Sequence, residues 1–327
     1  MIAFLKLIRW PNLLIIILTM VLMRYGILEP VLGRIEVSLY SIAGTEKNMM
    51  LQLPWLDFAM LVTATVLISA GGYVINDYFD IKTDLINKGQ VIVGTKIPRH
   101  KAMMLHNILN IVGVGVGFYV SWKVGYLWMG ALFLLVSGLL YFYSASYKRQ
   151  FLIGNIIVAV LTAMVPLLVV IFEAPSLFEY YTINAVEPPA LGILFYWVGG
   201  FAIFAFLTTL TREIIKDIED FEGDVAYGRN TIPVVLGILT SKIVVVSMII
   251  ITLTLLYLVW YLFISDVVTL GYLTLSVTLP LIFVLYRLII SKSRSELHSA
   301  SRIMKIVMIS GILYSVVVRI LLTNNLV

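Results

Sequence analysis

Residues 61–84 read LVTATVLISAGGYVINDYFDIKTD, a stretch that changes abruptly from an apolar run to an acidic segment. With the residues before it, the apolar run reaches the length of about 20 residues that a membrane-spanning helix needs. Three carboxylates, Asp77, Asp80 and Asp84, follow where the chain is expected to leave the bilayer. Because like charges three and four residues apart repel one another, this segment needs a positively charged partner.

The composition of the whole chain is that of a polytopic membrane protein. Of the 327 residues, 61% are hydrophobic and only 13% are charged, whereas soluble proteins average about 25% charged residues. We therefore expect an all-α membrane protein in which residues 1–327 form a single domain. Hydropathy predicts about nine spans, at 10–28, 56–76, 102–120, 126–144, 152–172, 191–213, 243–264, 268–291 and 302–322.

The first span lies close to the N-terminus. The start MIAFLKLIRWPN is charged and then apolar, like a signal peptide, but it lacks a small-residue cleavage site. We interpret it as a retained first helix. The segment 29–55 is a long mixed loop that is expected to carry a short interfacial helix. Cysteine is absent, which excludes disulfides and thiolate metal sites. The three histidines are scattered along the sequence and form no metal-ligand cluster.

The distribution of charge predicts the orientation of the chain. With the N-terminus inside, 18 of the 23 Lys and Arg residues fall on the inner face, as the positive-inside rule requires. The protein is therefore expected in the cell (inner) membrane, with a cytoplasmic N-terminus and the C-terminus outside. Position explains the net charge of +5 without a nucleic-acid partner. The acids of the outer side are expected singly in solvated loops, and none deep within a span.

A second acidic segment repeats the spacing of the first. Asp217, Asp220 and Asp224 follow one another at intervals of three and four residues, as do the aspartates of 77–84. On a continuous helix such a trio spreads over about 60° of one face. Gly223 is expected to shorten the second helix. For either trio alone, the alternative is a solvated helix end at the membrane surface.

The repetition predicts a site for divalent cations. Two opposed acidic faces need a counter-charge, and Mg²⁺ is bound through a few carboxylates together with substrate phosphate oxygens. Asn76, directly before the first trio, can add a carbonyl oxygen. We therefore expect Mg²⁺ as the cofactor. Because the spans look otherwise poor in carboxylates, an ion-coupled transporter, which places ionisable residues near the bilayer midplane, is the less favoured alternative.

Basic residues among the acids point to a phosphorylated ligand, since Lys and Arg bind phosphate directly. Any one of them can instead follow the positive-inside rule. As a group they predict a polyprenyl diphosphate as the ligand. Mg²⁺ and these cations would neutralise the negative charge that develops on the diphosphate as it leaves. Tyr141 and Tyr143 are candidates for an electron-rich wall beside a carbocation, or else interfacial anchors. The basic residues are Lys82, Lys88, Lys96, Arg99, Arg212, Lys216 and Arg229.

These motifs resemble those of the UbiA-type intramembrane prenyltransferases. NDYFDIKTD at 76–84 is similar to their first aspartate motif, and DIEDFEGD at 217–224 to their second. RWPN at 9–12, YSASYKRQFLIGN at 143–155 and GRNTIP at 228–233 resemble further segments. The resemblance implies a bundle of nine helices with a cavity that opens sideways to lipid. It also implies Mg²⁺-dependent transfer of a prenyl group from a diphosphate to a membrane-associated acceptor.

The resemblance implies residue roles as well. The catalytic acids would be the six aspartates of the two motifs, in which Asp77 and Asp217 complete the acidic rims. Substrate would be bound by Lys88, Lys148, Arg212 and Lys216 at the diphosphate, with Tyr143 beside it. Asn12 would line the acceptor side. Metal would be held by Asn76, Asp80, Asp84, Asp220 and Asp224.

One segment departs from the family pattern. Members often follow the first motif with N-R-P-x-R-P-L-x-S-G, but this chain has NKGQVIVGTKI at 87–97, with Val91 in place of the second arginine. The diphosphate would then rely on other basic residues, such as Lys96 or Arg99, or the loop serves another acceptor. The second motif looks most like the branch that adds geranylgeranyl to geranylgeranylglyceryl phosphate and makes an ether lipid. The alternative is an aromatic acceptor, a quinone precursor such as 4-hydroxybenzoate.

Overall fold

The computed structural model describes residues 2–40, 46–88, 91–187, 189–291 and 294–324. Nine helices within these ranges are long and apolar enough to cross a membrane. This confirms the prediction of an all-α polytopic membrane protein. In chain order the helices are α1 (Ile2–Leu7), α2 (Trp10–Leu32), α3 (Trp55–Phe79), α4 (Ile81–Lys88), α5 (Arg99–Lys123), α6 (Leu127–Ala145), α7 (Ile153–Asn184), α8 (Gly192–Glu219), α9 (Phe221–Ala226), α10 (Ile232–Leu236), α11 (Ile238–Ile264), α12 (Val267–Ile290) and α13 (Arg294–Thr323).

Helix α7 extends furthest beyond its predicted span, ending at Asn184 rather than near residue 172. The additional turns are held by the loop that follows α2. The backbone N–H of Val186 donates to the carbonyl oxygen of Ser38 at 2.9 Å. The Tyr181 hydroxyl accepts from the backbone N–H of Met50, also at 2.9 Å. Tertiary contacts thus lengthen the helix past the end of the apolar run.

The loop after α2 contains a hairpin, and the expected separate interfacial helix is not found in its described part. Residues 29–32 simply extend α2. Beyond them, strand β1 (Glu36–Ser38) pairs antiparallel with β2 (Glu46–Asn48). Val37 is buried while its neighbours on β1 are exposed, which is the alternation of a strand with one face on the core.

Glu173 lies inside α7, so the expectation that the outer acids are solvated in loops was wrong for this residue. Its side chain is fully buried and lies 3.5 Å from Arg24 of α2. One carboxylate oxygen accepts the backbone N–H groups of Gln52 at 2.6 Å and Leu53 at 2.9 Å. The buried pair therefore fastens the loop between α2 and α3 to α7.

Glu173→Ala is expected to lower the free energy of unfolding by about 3–5 kcal/mol, because it leaves the Arg24 guanidinium buried and unpaired. Thermal unfolding of the purified protein in detergent measures the loss. Glu179→Ala is the matched control, since Glu179 is exposed on the same helix. Replacing the pair together, as Arg24→Met with Glu173→Gln, should restore much of the stability, because the Gln side-chain oxygen can still accept the N–H groups of Gln52 and Leu53. An unchanged melting temperature for Glu173→Ala would contradict a stabilising pair.

The bundle brings the two aspartate motifs to the same end. Helix α3 packs along α5 and α6, and α8 packs along α7, α11 and α13. The short helices α4 and α9, which follow α3 and α8, contact each other. The end of the bundle that carries these two short helices therefore holds the candidate site.

Candidate active site

Each aspartate motif contains a helix break at its central aspartate. Asp80 lies between α3 and α4 with φ −90° and ψ 0°. Asp220 lies between α8 and α9 with nearly the same dihedral angles, −96° and 7°. The expectation of one continuous helix face per trio was therefore wrong. Gly223 was expected to end the second helix, but it lies inside α9, so the break comes three residues earlier.

A single arginine joins the two motifs. Arg229 donates from Nη2 to Oδ1 of Asp80 at 2.7 Å, and its Nη1 lies 3.4 Å from Oδ1 of Asp224. Both carboxyl groups are buried, with Asp80 8% and Asp224 2% exposed. Because α4 and α9 turn toward each other at the breaks, acids that are about 140 residues apart in sequence share one cation.

Lys148 is the second cation at this point. It lies in the short turn of 3₁₀-helix Tyr147–Arg149 between α6 and α7. Its Nζ is 2.5 Å from Oδ1 of Asp80 and donates to the side-chain oxygen of Asn76 at 3.1 Å. Burial lowers the pKa of Lys148 to about 8, although the Asp80 carboxylate opposes the shift. Asp84 lies near enough to interact electrostatically with both Lys148 and Arg229.

The charge balance of this cluster favours an added cation. Burial raises the pKa of Asp224 to about 6, because Arg229 offsets only part of the desolvation. Burial has the same tendency at Asp80, but Lys148 and Arg229 hold the pKa of that carboxyl below its usual range. At the solvent-exposed edge of this cluster, the Asp220 carboxylate pairs with the Arg294 guanidinium at 2.9 Å. Four carboxylates thus meet three cations, which leaves one excess negative charge when all are ionised.

The donor atoms fit Mg²⁺ in kind, because they are carboxylate and amide oxygens, the hard ligands that this ion prefers. Within the described residues, no three Asp, Glu or His side chains converge closely enough to hold a metal by themselves. Lys148 and Arg229 stand between the carboxylates instead. The predicted ligands Asn76, Asp80 and Asp224 nevertheless meet around these two cations, with Asp84 within electrostatic range of both.

The first aspartate of each motif points elsewhere. Asp77 pairs with Arg9 at 2.8 Å, and the Arg9 guanidinium lies over the ring of Tyr73, 5.1 Å from its centroid. Asp217 accepts a hydrogen bond from the side-chain amide of Asn155 at 2.7 Å. These two carboxylates therefore anchor neighbouring elements, α1–α2 and α7, to the ends of α3 and α8.

Arg212 and Lys216 bind Glu213 instead of the motif aspartates. The two charged groups lie 2.7 Å and 2.8 Å from different oxygens of its carboxylate. Glu213 is only 8% exposed, and the sequence analysis did not single it out. The structure thus separates two expected diphosphate ligands, Arg212 and Lys216, from the cations that contact Asp80.

The remaining expected residues lie around these clusters. Asn12 is within hydrogen-bonding reach of the Tyr73 hydroxyl, and half-buried Tyr143 lies within electrostatic range of Asp80, Glu213 and Asp217. The ring of Tyr141 contacts Phe79, with centroids 5.9 Å apart. The side chain of Lys88 lies outside the described part of the chain. Residues missed as site components are Arg9, Tyr73, Asn155 and Glu213, and the segments RWPN and YSASYKRQFLIGN were the available signals for Arg9 and Asn155. Arg229 was expected only as one of the basic residues near the diphosphate, without its partners Asp80 and Asp224.

The family model of the UbiA prenyltransferases matches residues 49–309. This protein belongs to the UbiA prenyltransferase family. The digeranylgeranylglyceryl phosphate synthase of Methanosphaera stadtmanae is 34% identical to this family member over 76% of this chain and 84% of that protein. The synthase of the same name from Methanobrevibacter smithii is 38% identical over 56% of this chain. That alignment spans 59% of the relative, less than two thirds of its length.

Solved structures of the family share the fold. A structure of a digeranylgeranylglyceryl phosphate synthase in membranes superposes with a TM-score of 0.59 at 21% identity, over 96% of this chain and 98% of that one. A UbiA homologue from Archaeoglobus fulgidus bound to DMAPP and Mg²⁺ gives a TM-score of 0.51 at 14% identity, over 96% and 99%. The fold of this UbiA-family member, with nine candidate membrane-spanning helices among its described residues, is therefore shared with these solved structures.

Proposed function

We propose that this enzyme transfers a geranylgeranyl group from its diphosphate to geranylgeranylglyceryl phosphate, forming the ether lipid digeranylgeranylglyceryl phosphate with Mg²⁺ as cofactor. The names of the relatives support the acceptor, and the Archaeoglobus fulgidus homologue supports the donor class and the metal. The observation that carries the proposal is the convergence of both aspartate motifs on Arg229 and Lys148 at one end of an apolar bundle.

In this proposal the two cations bind the diphosphate. Lys148 and Arg229 are already held at Asp80 by charge-assisted contacts, and phosphate oxygens are their natural alternative partners. Asn76, Asp80, Asp84, Asp220 and Asp224 would hold Mg²⁺, with Asp77 and Asp217 fixing the surrounding elements. Bound Mg²⁺ would supply positive charge that stabilises the diphosphate as it leaves.

The reaction then needs a dry surface beside the allylic carbon. The C–O bond to the diphosphate breaks, and the acceptor hydroxyl oxygen forms the new ether bond and loses its proton. Tyr143 lies within electrostatic range of both Asp80 and Glu213, so its ring would face the developing carbocation and help to exclude water. Asn12 and Tyr73 would line the acceptor side.

The apolar chains would extend into the bundle or between its helices. A cavity of about 350 Å³ lies between α5 and α6, lined by the apolar Ile111 and Leu134, by Tyr141, and by the polar His106, Asn107, Asn110 and Ser137. Through the contact of Tyr141 with Phe79, it adjoins the residue before Asp80. We propose it as part of the sideways opening to lipid. The excess of basic residues at the motif-bearing end supports a cytoplasmic site in the inner membrane, within one catalytic unit of residues 1–327.

A transfer assay tests the proposed function. Purified protein in liposomes, given labelled geranylgeranyl diphosphate and Mg²⁺, is expected to prenylate geranylgeranylglyceryl phosphate and to lose this activity in EDTA. 4-Hydroxybenzoate, offered separately, should yield no product. Product from the aromatic acid alone would move the enzyme to quinone biosynthesis, and transfer that survives EDTA would overturn the metal requirement.

A further inference from the structure

A second charged cluster lies beside the diphosphate site, where α2, α3, α8 and α13 meet. Its centre is the buried carboxylate of Glu213, held by Arg212 and Lys216 at 2.7 Å and 2.8 Å. Lys305 of α13 lies within electrostatic range of Arg212, Lys216, Glu213 and also Arg9. Because α13 packs against both α8 and α2, Lys305 closes the cluster from the opposite side.

The cluster carries more positive charge than its own acids balance. Its four cations, Arg9, Arg212, Lys216 and Lys305, face three carboxylates, Asp77, Glu213 and Asp217, the last of which lies within electrostatic range of Glu213 and Lys216. No ion pair found among the described residues involves Lys305. The Nε of Arg212 is buried and has no hydrogen-bond partner in the same part of the chain. The excess of positive charge and an unused guanidinium donor suit an anionic ligand.

The neighbouring site has the opposite balance. Around Asp80 the carboxylates exceed the cations, which suits Mg²⁺ with a diphosphate, whereas around Glu213 the cations are in excess. Tyr143 lies within electrostatic range of both clusters. A phosphate group bound by Lys and Arg without a metal ion therefore belongs at Glu213, whereas the diphosphate belongs with Mg²⁺ at Asp80.

We propose that Arg212, Lys216 and Lys305 form the binding site for the phosphomonoester of the acceptor lipid. This inference rests on the proposed function and adds a subsite to it. A phosphomonoester carries a charge of about −1.5 to −2 at neutral pH, which is opposite in sign to the excess charge of the cluster. Arg212 thereby takes a different role from the diphosphate contact that the family resemblance implied. The acceptor hydroxyl would approach Tyr143 and the diphosphate from the side of Asn12.

The test uses Lys305→Gln. The Lys305 side chain is exposed and forms no ion pair among the described residues, so its replacement leaves no carboxylate without a partner. Binding of geranylgeranylglyceryl phosphate to the full-length protein is measured in EDTA, which removes any metal-held diphosphate site. The dissociation constant is expected to rise about 10-fold, the size of one charge-assisted contact, and Lys305→Arg should restore it. Binding of the dephosphorylated lipid, geranylgeranylglycerol, should not change. Arg302→Gln, one turn earlier on α13, is the matched control and should bind as the wild type does.

Two further readouts separate the possible failures. In the transfer assay Lys305→Gln should raise the KM for the phosphorylated acceptor and leave the KM for geranylgeranyl diphosphate unchanged. The subsite would be overturned, and the proposed function would stand, in either of two cases. In the first, Lys305→Gln raises the KM for geranylgeranyl diphosphate and not the KM for the phosphorylated acceptor. In the second, it raises the dissociation constant of the dephosphorylated lipid as much as that of the phosphorylated one. If the wild type binds the phosphorylated lipid in EDTA but transfers nothing to it, the proposed function fails instead. Competition by inorganic phosphate alone would show that the headgroup, without its lipid, is recognised.

Discussion

Asp80→Ala and Asp220→Ala are each expected to abolish prenyl transfer, a loss of more than about 10³-fold in turnover. Asp80 is the carboxylate on which Lys148 and Arg229 converge, and Asp220 is the corresponding residue at the break of the second motif. Each substitution removes a proposed metal ligand, and Asp80→Ala also leaves the buried Lys148 without its carboxylate, so a loss of stability has to be measured beside turnover. Turnover of purified variants in liposomes, with expression and melting temperature recorded in parallel, measures the effect.

Glu222→Ala is the matched control for these two substitutions. Glu222 lies in the second acidic segment but is exposed on α9, and it is outside the repeated aspartate pattern. It should retain activity near that of the wild type. Near-normal turnover of either aspartate variant, in a protein that inserts and purifies normally, would contradict a metal site built from both motifs.

Arg229→Met is expected to lower turnover by about 10²-fold and to destabilise the metal-free protein. The variant keeps the volume of the side chain but removes the guanidinium that joins Asp80 to Asp224. Asp80 retains Lys148, whereas the buried Asp224 carboxylate loses the cation that offsets its desolvation. Breaking a buried pair in this way costs about 3 kcal/mol. Added Mg²⁺ should restore part of the stability, because it supplies the missing positive charge.

Melting temperatures in EDTA and in Mg²⁺ test this expectation independently of activity. The rise caused by Mg²⁺ should be larger for Arg229→Met than for the wild type. Arg149→Met is the control, since Arg149 is an exposed cation whose backbone carbonyl accepts from Asn230, close to Arg229. If Mg²⁺ raises the melting temperatures of Arg229→Met and Arg149→Met equally, the Arg229 guanidinium does not stand where the positive charge of the metal ion would be.

The repeated spacing of three aspartates is visible along the chain, and it identified the two helix ends, those of α3 and α8, that come together in the fold. Hydropathy likewise predicted the spans, in most cases to within a few residues of the observed ends, although α7 ends and α13 begins well outside the predicted bounds. The helix breaks at Asp80 and Asp220 were not predictable in this way. Neither residue is followed by Pro or Gly, and the packing of α4 against α9 supplies the reason for the turn.

Contacts between side chains far apart in the sequence were the second feature of the site that the sequence could not predict. Arg229 and Lys148 were both visible as basic residues near acids, but only the fold shows that they share Asp80. Glu213 reads as one more acid among six in residues 213–224, yet it is buried and holds Arg212 and Lys216. Glu173 followed an apolar run and looked like a loop residue, because local hydropathy does not reveal a partner such as Arg24.

The breaks at Asp80 and Asp220 have a consequence for the backbone. Since α3 and α8 both end there, their carboxyl termini converge on one place, and each helix dipole contributes a partial negative charge of about half an electron at that end. This potential belongs to the peptide groups and survives every side-chain substitution. Variants that lose one aspartate are therefore expected to attract Mg²⁺ still, at reduced affinity, while they fail to hold it in the geometry that the reaction needs.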